Sequence, residues 1–170
     1  MHNIVLIGMP GSGKTTIGAT LADRLHYQLL DTDWLVMDTY GKSLPTLIAE
    51  VGVEGFLRLE GKVGEALTCE NCVIATGGSM VFSEAAMRNL RRLGTVVWLD
   101  APLPELKRRI AAGNDRGIAA EEGVTVEQLD TVRRPLYARY ADICVQSIGT
   151  KGDVVTMIER ALHEREDAAR

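Results

Sequence analysis

The sequence predicts an α/β domain in three layers, with a five-stranded parallel sheet between two layers of helices. Three observations carry that expectation. Short apolar runs of strand length alternate with longer segments whose apolar residues recur every three or four positions. A glycine or an acidic residue stops the runs, as Gly8, Asp31 and Gly77 do. The 170 residues, 46% of them hydrophobic, suit one domain with one sizeable core.

Taken in order, residues 4–7 form a short apolar run typical of a strand buried on both faces. Residues 14–25 are helical by the spacing of Ile17, Leu21 and Leu25. A second strand is expected at 27–30, then short helices at 34–40 and 44–50 around Gly41, then a longer helix at 54–67. Residues 73–76 are a strand broken by Gly77-Gly78, and Ser83 opens the next helix with Glu84 in its first turn. Residues 95–99 form a fourth strand, followed by a helix at 103–112 and an irregular stretch at 113–123. A helix at 126–140, a strand at 143–145 and a helix at 154–164 close the chain. In such a sheet ligands bind beyond the carboxyl ends of the strands, so the residues just after each strand come first.

Composition narrows the function. A net charge of −4 argues against general nucleic-acid binding, which needs a positive face to displace counterions. No apolar run reaches membrane-spanning length. The opening residues lack a basic n-region and lead straight into a glycine-rich loop, so they are expected to be a first strand and not a leader. Three cysteines are an odd count for a disulfide framework, and Cys69-Glu70-Asn71-Cys72 is expected to be a plain turn. A monomeric, cytoplasmic protein with a small-molecule partner and no nucleic-acid or membrane partner is the expectation.

Gly8-Met9-Pro10-Gly11-Ser12-Gly13-Lys14-Thr15 matches the Walker A pattern between a strand and a helix. Glycines let the backbone wrap phosphates with its N–H groups inward, and the helix N-terminus adds a favourable dipole. Gly11, Ser12, Gly13, Lys14, Thr15 and Thr16 are therefore expected to cradle ATP, with Lys14 on the β- and γ-phosphates and the Thr15 hydroxyl on Mg²⁺. The chain has no Asn-Lys-x-Asp guanine signature and no ABC-type signature, which leaves a small-molecule kinase as the best class. Asp31-Thr32-Asp33 follows the second strand. Asp31 is expected to hold Mg²⁺ through water, and Asp33 to orient the attacking hydroxyl; helix capping is the plainer alternative for Asp31 or Thr32.

With these residues in hand, the chain resembles the shikimate kinase family of nucleoside-monophosphate-kinase-like P-loop kinases over nearly its whole length. The resemblance rests on the Walker loop, Asp31 with Asp33, Gly41-Lys42-Ser43-Leu44-Pro45, Ile74-Ala75-Thr76-Gly77-Gly78 and Arg133-Arg134-Pro135-Leu136-Tyr137. It implies transfer of the ATP γ-phosphoryl group to the 3-hydroxyl of shikimate. Lys14, Asp33 and Arg116 are then the catalytic residues, and Arg109 stacks on adenine. Asp33, Gly77, Gly78 and Arg133 hold the substrate, with Arg133 on its carboxylate. A substrate-binding flap is expected at about 33–61 and a lid at about 113–124.

Three positions depart from the family pattern. Phe56-Leu57-Arg58-Leu59-Glu60 has Leu57 where the family carries a second carboxylate-gripping arginine. Arg58 lies one step along, about 100° around a helix, and must curl back to serve as the replacement. Ser79 stands in place of a third glycine, and the lid has Arg116-Gly117-Ile118-Ala119 where Arg-Pro-Leu is usual. Two alternatives stay open: a kinase of another polyol or sugar acid such as gluconate, and a weakly catalytic nucleotide-binding regulatory protein.

Overall fold

Alternation along β1 (Asn3–Ile7) explains why the core has two layers. Successive side chains on a strand point to opposite faces. Val5 and Ile7 join one buried cluster, with Ile74, Val96, Trp98, Met87 and Leu90. Ile4 and Leu6 join the other, with Ile17, Leu21, Val73, Val97 and Val155. All five residues of β1 are buried, as a central parallel strand requires.

The computed structural model describes residues 3–113 and 117–170. Its remaining strands are β2 (Gln28–Asp31), β3 (Cys72–Ala75), β4 (Gly94–Asp100) and β5 (Ile143–Gln146). They form one sheet in the order β2-β3-β1-β4-β5. Every pairing is parallel, for example Val5 opposite Ile74 on one side and opposite Val96 on the other. The chain leaves β1 toward β2, whereas it leaves β3 toward β4 across the sheet. The carboxyl ends of β1 and β3 therefore part over a crevice.

The helices are α1 (Lys14–Leu25), α2 (Thr32–Tyr40), α3 (Leu44–Ala66), α4 (Glu84–Leu93), α5 (Leu103–Ala111), α6 (Val126–Tyr140) and α7 (Lys151–Ala168). The two helices expected at 44–50 and 54–67 run on as α3, interrupted at Gly52, whose φ of 73° and ψ of 172° are accessible to little but glycine. The closing helix begins three residues before the expected position. Thr150 and Asp153 form a reciprocal capping box there, so the helix starts at a polar signal ahead of its first apolar residue. Ser83 caps α4 as expected, accepting from the Ala86 N–H.

Val36, Leu44, Leu47 and Phe56 of α2 and α3 build a third cluster, separate from the sheet, which Ala119 completes. The cluster lies within residues 33–61, where the substrate-binding flap is expected, apart from Ala119. No helix among the described residues is long and apolar enough to cross a membrane.

Candidate active site

The loop after β1 closes on its own lysine. Gly8 must be glycine, because a Cβ there would meet the Leu99 carbonyl oxygen at 2.6 Å. Gly13 caps α1 in the left-handed region, with φ 94°. Lys14 Nζ donates to the carbonyls of Gly8 and Met9 at 2.7 and 2.8 Å and to Ser12 Oγ at 3.3 Å. Burial lowers its ammonium to about 8, against the attraction of Asp33, Asp31 and Glu60.

The same loop is braced from behind. Arg109 donates to the Gly11 carbonyl and to the Ser147 carbonyl, each at 3.1 Å, and to Glu105. Ser147 Oγ in turn donates to the Ser12 carbonyl at 2.7 Å. Arg109 thus ties the Walker loop to the loop after β5, a different engagement from the adenine stacking expected of it. Ser147 escaped the sequence reading although it directly follows a strand, which is the signal that finds it.

Asp31 plays two parts. One carboxylate oxygen accepts from the Asp33 N–H at 2.9 Å and caps α2, and the other accepts from Thr15 Oγ1 at 2.9 Å. The capping alternative and the pairing with the Walker threonine are both realised. An all-oxygen pair beside a phosphate loop fits Mg²⁺, which takes few protein ligands and keeps several waters. Among the described residues no cluster of three metal-binding side chains occurs.

Glycines after β3 let the acidic groups converge. The Gly77 N–H donates to Thr32 Oγ1 at 2.9 Å. A Cβ on Gly77 would overlap Glu60 Oε1 and lie 2.6 Å from Asp33 Oδ1. A Cβ on Gly78 would press on Pro10 and on Arg133 Nη1. Arg133 is 1% exposed. Its Nη2 donates to the Ala119 carbonyl at 2.9 Å, and its Nε has no hydrogen-bond partner among the described residues. Tyr137, from the same helix, donates to the Gly78 carbonyl at 2.7 Å.

Many of these groups line one cleft of about 620 Å³, although Asp31 and Gly77, expected in the site, stand behind its wall. Gly11, Gly13, Lys14, Thr15, Thr16, Arg109, Ser147 and Lys151 border the end at the Walker loop. Asp33, Glu60, Gly78, Ser79, Arg133 and the apolar Phe56 and Leu44 border the other. The structure thus gathers most of the residues expected from the sequence. Arg58 is a correction: its side chain is 67% exposed and pairs with Glu54, one turn back along α3, so it does not curl back to the cleft. Ser12 is buried under the loop and serves it from within. Arg116 lies outside the described residues.

Glu60, which matches the family's motif in the sequence but receives no role there, lines the cleft. It is 1% exposed, yet its one hydrogen-bond partner among the described residues is Ser79, whose hydroxyl donates to Oε2 at 2.5 Å. Burial pushes its carboxyl up to about 7, with Ser79 pulling down and Asp33 pushing up.

A family model described as shikimate kinase matches residues 10–163. The chain belongs to the shikimate kinase family. A shikimate kinase of Symbiobacterium thermophilum is 39% identical over 173 residues, covering 96% of this chain and 97% of that one. One of Synechococcus elongatus is 37% identical over 158 residues, covering 91% and 82%. The solved shikimate kinase from Acinetobacter baumannii in complex with shikimate superposes with a TM-score of 0.87 at 29% identity, over 97% of this chain and 94% of its own. The family membership expected from the motifs and the α/β P-loop fold expected from the alternation are both borne out.

Proposed function

We propose that the chain is an ATP- and Mg²⁺-dependent kinase that phosphorylates the 3-hydroxyl of shikimate. The observation that carries this reading is convergence. In a fold of the shikimate kinase family, Lys14, Asp33 and Arg133 border one cleft from three separate elements.

Asp33 at the head of α2 accepts the hydrogen bond of the acceptor hydroxyl and aims its oxygen at the γ-phosphorus. Lys14 leaves its loop carbonyls for the phosphates and stabilises the charge spread over the transferring group. Thr15 and Asp31 would hold Mg²⁺ with the nucleotide, and the ion would supply further neutralisation of the phosphates. Arg133 offers its guanidinium to the acceptor carboxylate. The segment after Gly117 roofs the acceptor end and limits water, which favours transfer over hydrolysis. Leu57 supports a second reading, a kinase of a related hydroxylated acid or polyol such as gluconate. Losing one charge-assisted contact weakens binding by about 1.5–3 kcal/mol, which another acceptor need not incur.

The test is ADP release with saturating MgATP across a panel of shikimate, gluconate and neutral polyols. Release that rises with shikimate above the others supports the proposal. Release that rises with none of them refutes it.

A further inference from the structure

The acceptor end of the cleft holds an unusual pair of opposed groups. Arg133 enters from α6 with its Nε unpartnered among the described residues, ready for an anion. Glu60 enters from α3, fully buried, with no cation paired to it among the described residues. Its Oε2 is held by the Ser79 hydroxyl, and its Oε1 is pressed against Gly77 beside Asp33 Oδ1. Leu57, one turn before Glu60, packs against the apolar flap cluster and supplies no charge. Among the described residues, the charged and titratable groups facing Glu60 are Asp33 from α2, Lys14 from α1, and Arg133 and Tyr137 from α6.

An ionised carboxylate here lies beside the place where Arg133 receives an acceptor's carboxylate. Two carboxylates in one dry site cannot both ionise without a large penalty. We propose that Glu60 and Ser79 are the specificity-determining pair of the acceptor subsite, and that an anionic acceptor is admitted beside Arg133 only when Glu60 carries a proton. This rests on the acceptor reading above and adds to it. The step is balanced: one proton moves from solvent to a Glu60 oxygen, and no bond of the acceptor changes. The elevated affinity of Glu60 for its proton, from burial that Arg133 and Lys14 only partly offset, puts the exchange near neutral pH. Ser79 tunes it, because the bond it donates favours the ionised form.

Titration calorimetry on the full chain tests this with shikimate and its neutral methyl ester. Measurements span pH 6 to about 8.5 in two buffers of different ionisation enthalpy. Shikimate affinity should fall about tenfold per pH unit above the midpoint, with uptake of about one proton on binding. The ester should bind with a flat profile. Glu60→Gln should abolish both the slope and the proton uptake; Lys14 remains in that variant, so its titration cancels in the comparison. Ser79→Ala should move the break to higher pH, a shift that a merely structural hydroxyl would not produce, and it keeps the test alive if Glu60→Gln fails to fold. Shikimate affinity that is independent of pH, with no proton taken up, overturns the inference and leaves the acceptor reading standing. Failure of both compounds to bind at any pH overturns the acceptor reading, and the inference falls with it.

Discussion

Lys14 and Asp33 carry most of the proposed chemistry, and each has a signature in mutant kinetics. Lys14→Ala removes a cation that spans the Walker loop and reaches the cleft. Phosphoryl transfer should drop to background while circular dichroism and the unfolding midpoint stay close to wild type. Turnover near the wild-type rate would contradict the phosphate role of the loop. Asp33→Asn is nearly isosteric but cannot hold the hydroxyl proton as a carboxylate does. It should lower kcat by about 10² or more and leave ATP affinity little changed. Collapse of ATP affinity with kcat preserved would move Asp33 to the metal site. At this scale much is legible in the sequence: Gly11, Gly13, Lys14, Thr15, Asp33 and Arg133 are all marked by motif and strand end. Glu60 is matched to the family motif but given no role there, because the sequence does not show that burial and Ser79 hold it inside the cleft. Arg58 misled for the matching reason, since its nearness in sequence to Leu57 says nothing of the 67% exposure its helix face imposes.

Helix α3 shows how an element sets what its residues can reach. Gly52 interrupts it with a backbone that side chains rarely adopt, although no atom lies near a Cβ built there. Gly52→Ala should therefore destabilise the chain by about 1–3 kcal/mol through backbone strain alone, seen as a lower denaturation midpoint. Beyond the break, Leu57 and Glu60 are neighbours on one face, one turn apart. Leu57→Arg should pair with Glu60 and offer an acceptor carboxylate a second guanidinium. The KM for shikimate should fall with kcat nearly unchanged, by up to the roughly 1.5–3 kcal/mol of a charge-assisted bond. The paired arginine should also compensate the charge of an ionised Glu60, so shikimate affinity in this variant should lose its dependence on pH. No gain in KM, with the fold verified, would favour an acceptor other than shikimate. Helix starts at polar caps were partly legible: Ser83 was read correctly, but the Thr150 and Asp153 box was missed by waiting for apolar periodicity.

Across the whole molecule, one buried acid gives stability a pH dependence with a definite sign. Glu60 holds its proton up to about 7 in the folded chain against a reference of 4.5. Its contribution is present below 4.5 and is lost as pH rises through 7, because the unfolded chain releases the proton first. The loss is on the order of 3 kcal/mol between those limits. Lys14, lowered to about 8, acts in the opposite direction but only above that pH. Denaturant unfolding from pH 5 to about 8 should thus show falling stability in wild type and a flatter profile in Glu60→Gln. Equal slopes in the two chains would place the Glu60 proton elsewhere. The sequence by itself determined the alternation of strands and helices, the Walker loop and the order of the motifs. These follow from rules acting within a few residues: side-chain period, glycine φ and caps. Only the tertiary structure decided that Ser79 meets Glu60 from 19 positions away, that Arg109 braces the Walker loop, and that Arg133 reaches Ala119 beneath the flap. Such pairings depend on which polar groups share a space that water has left, and no local pattern records that.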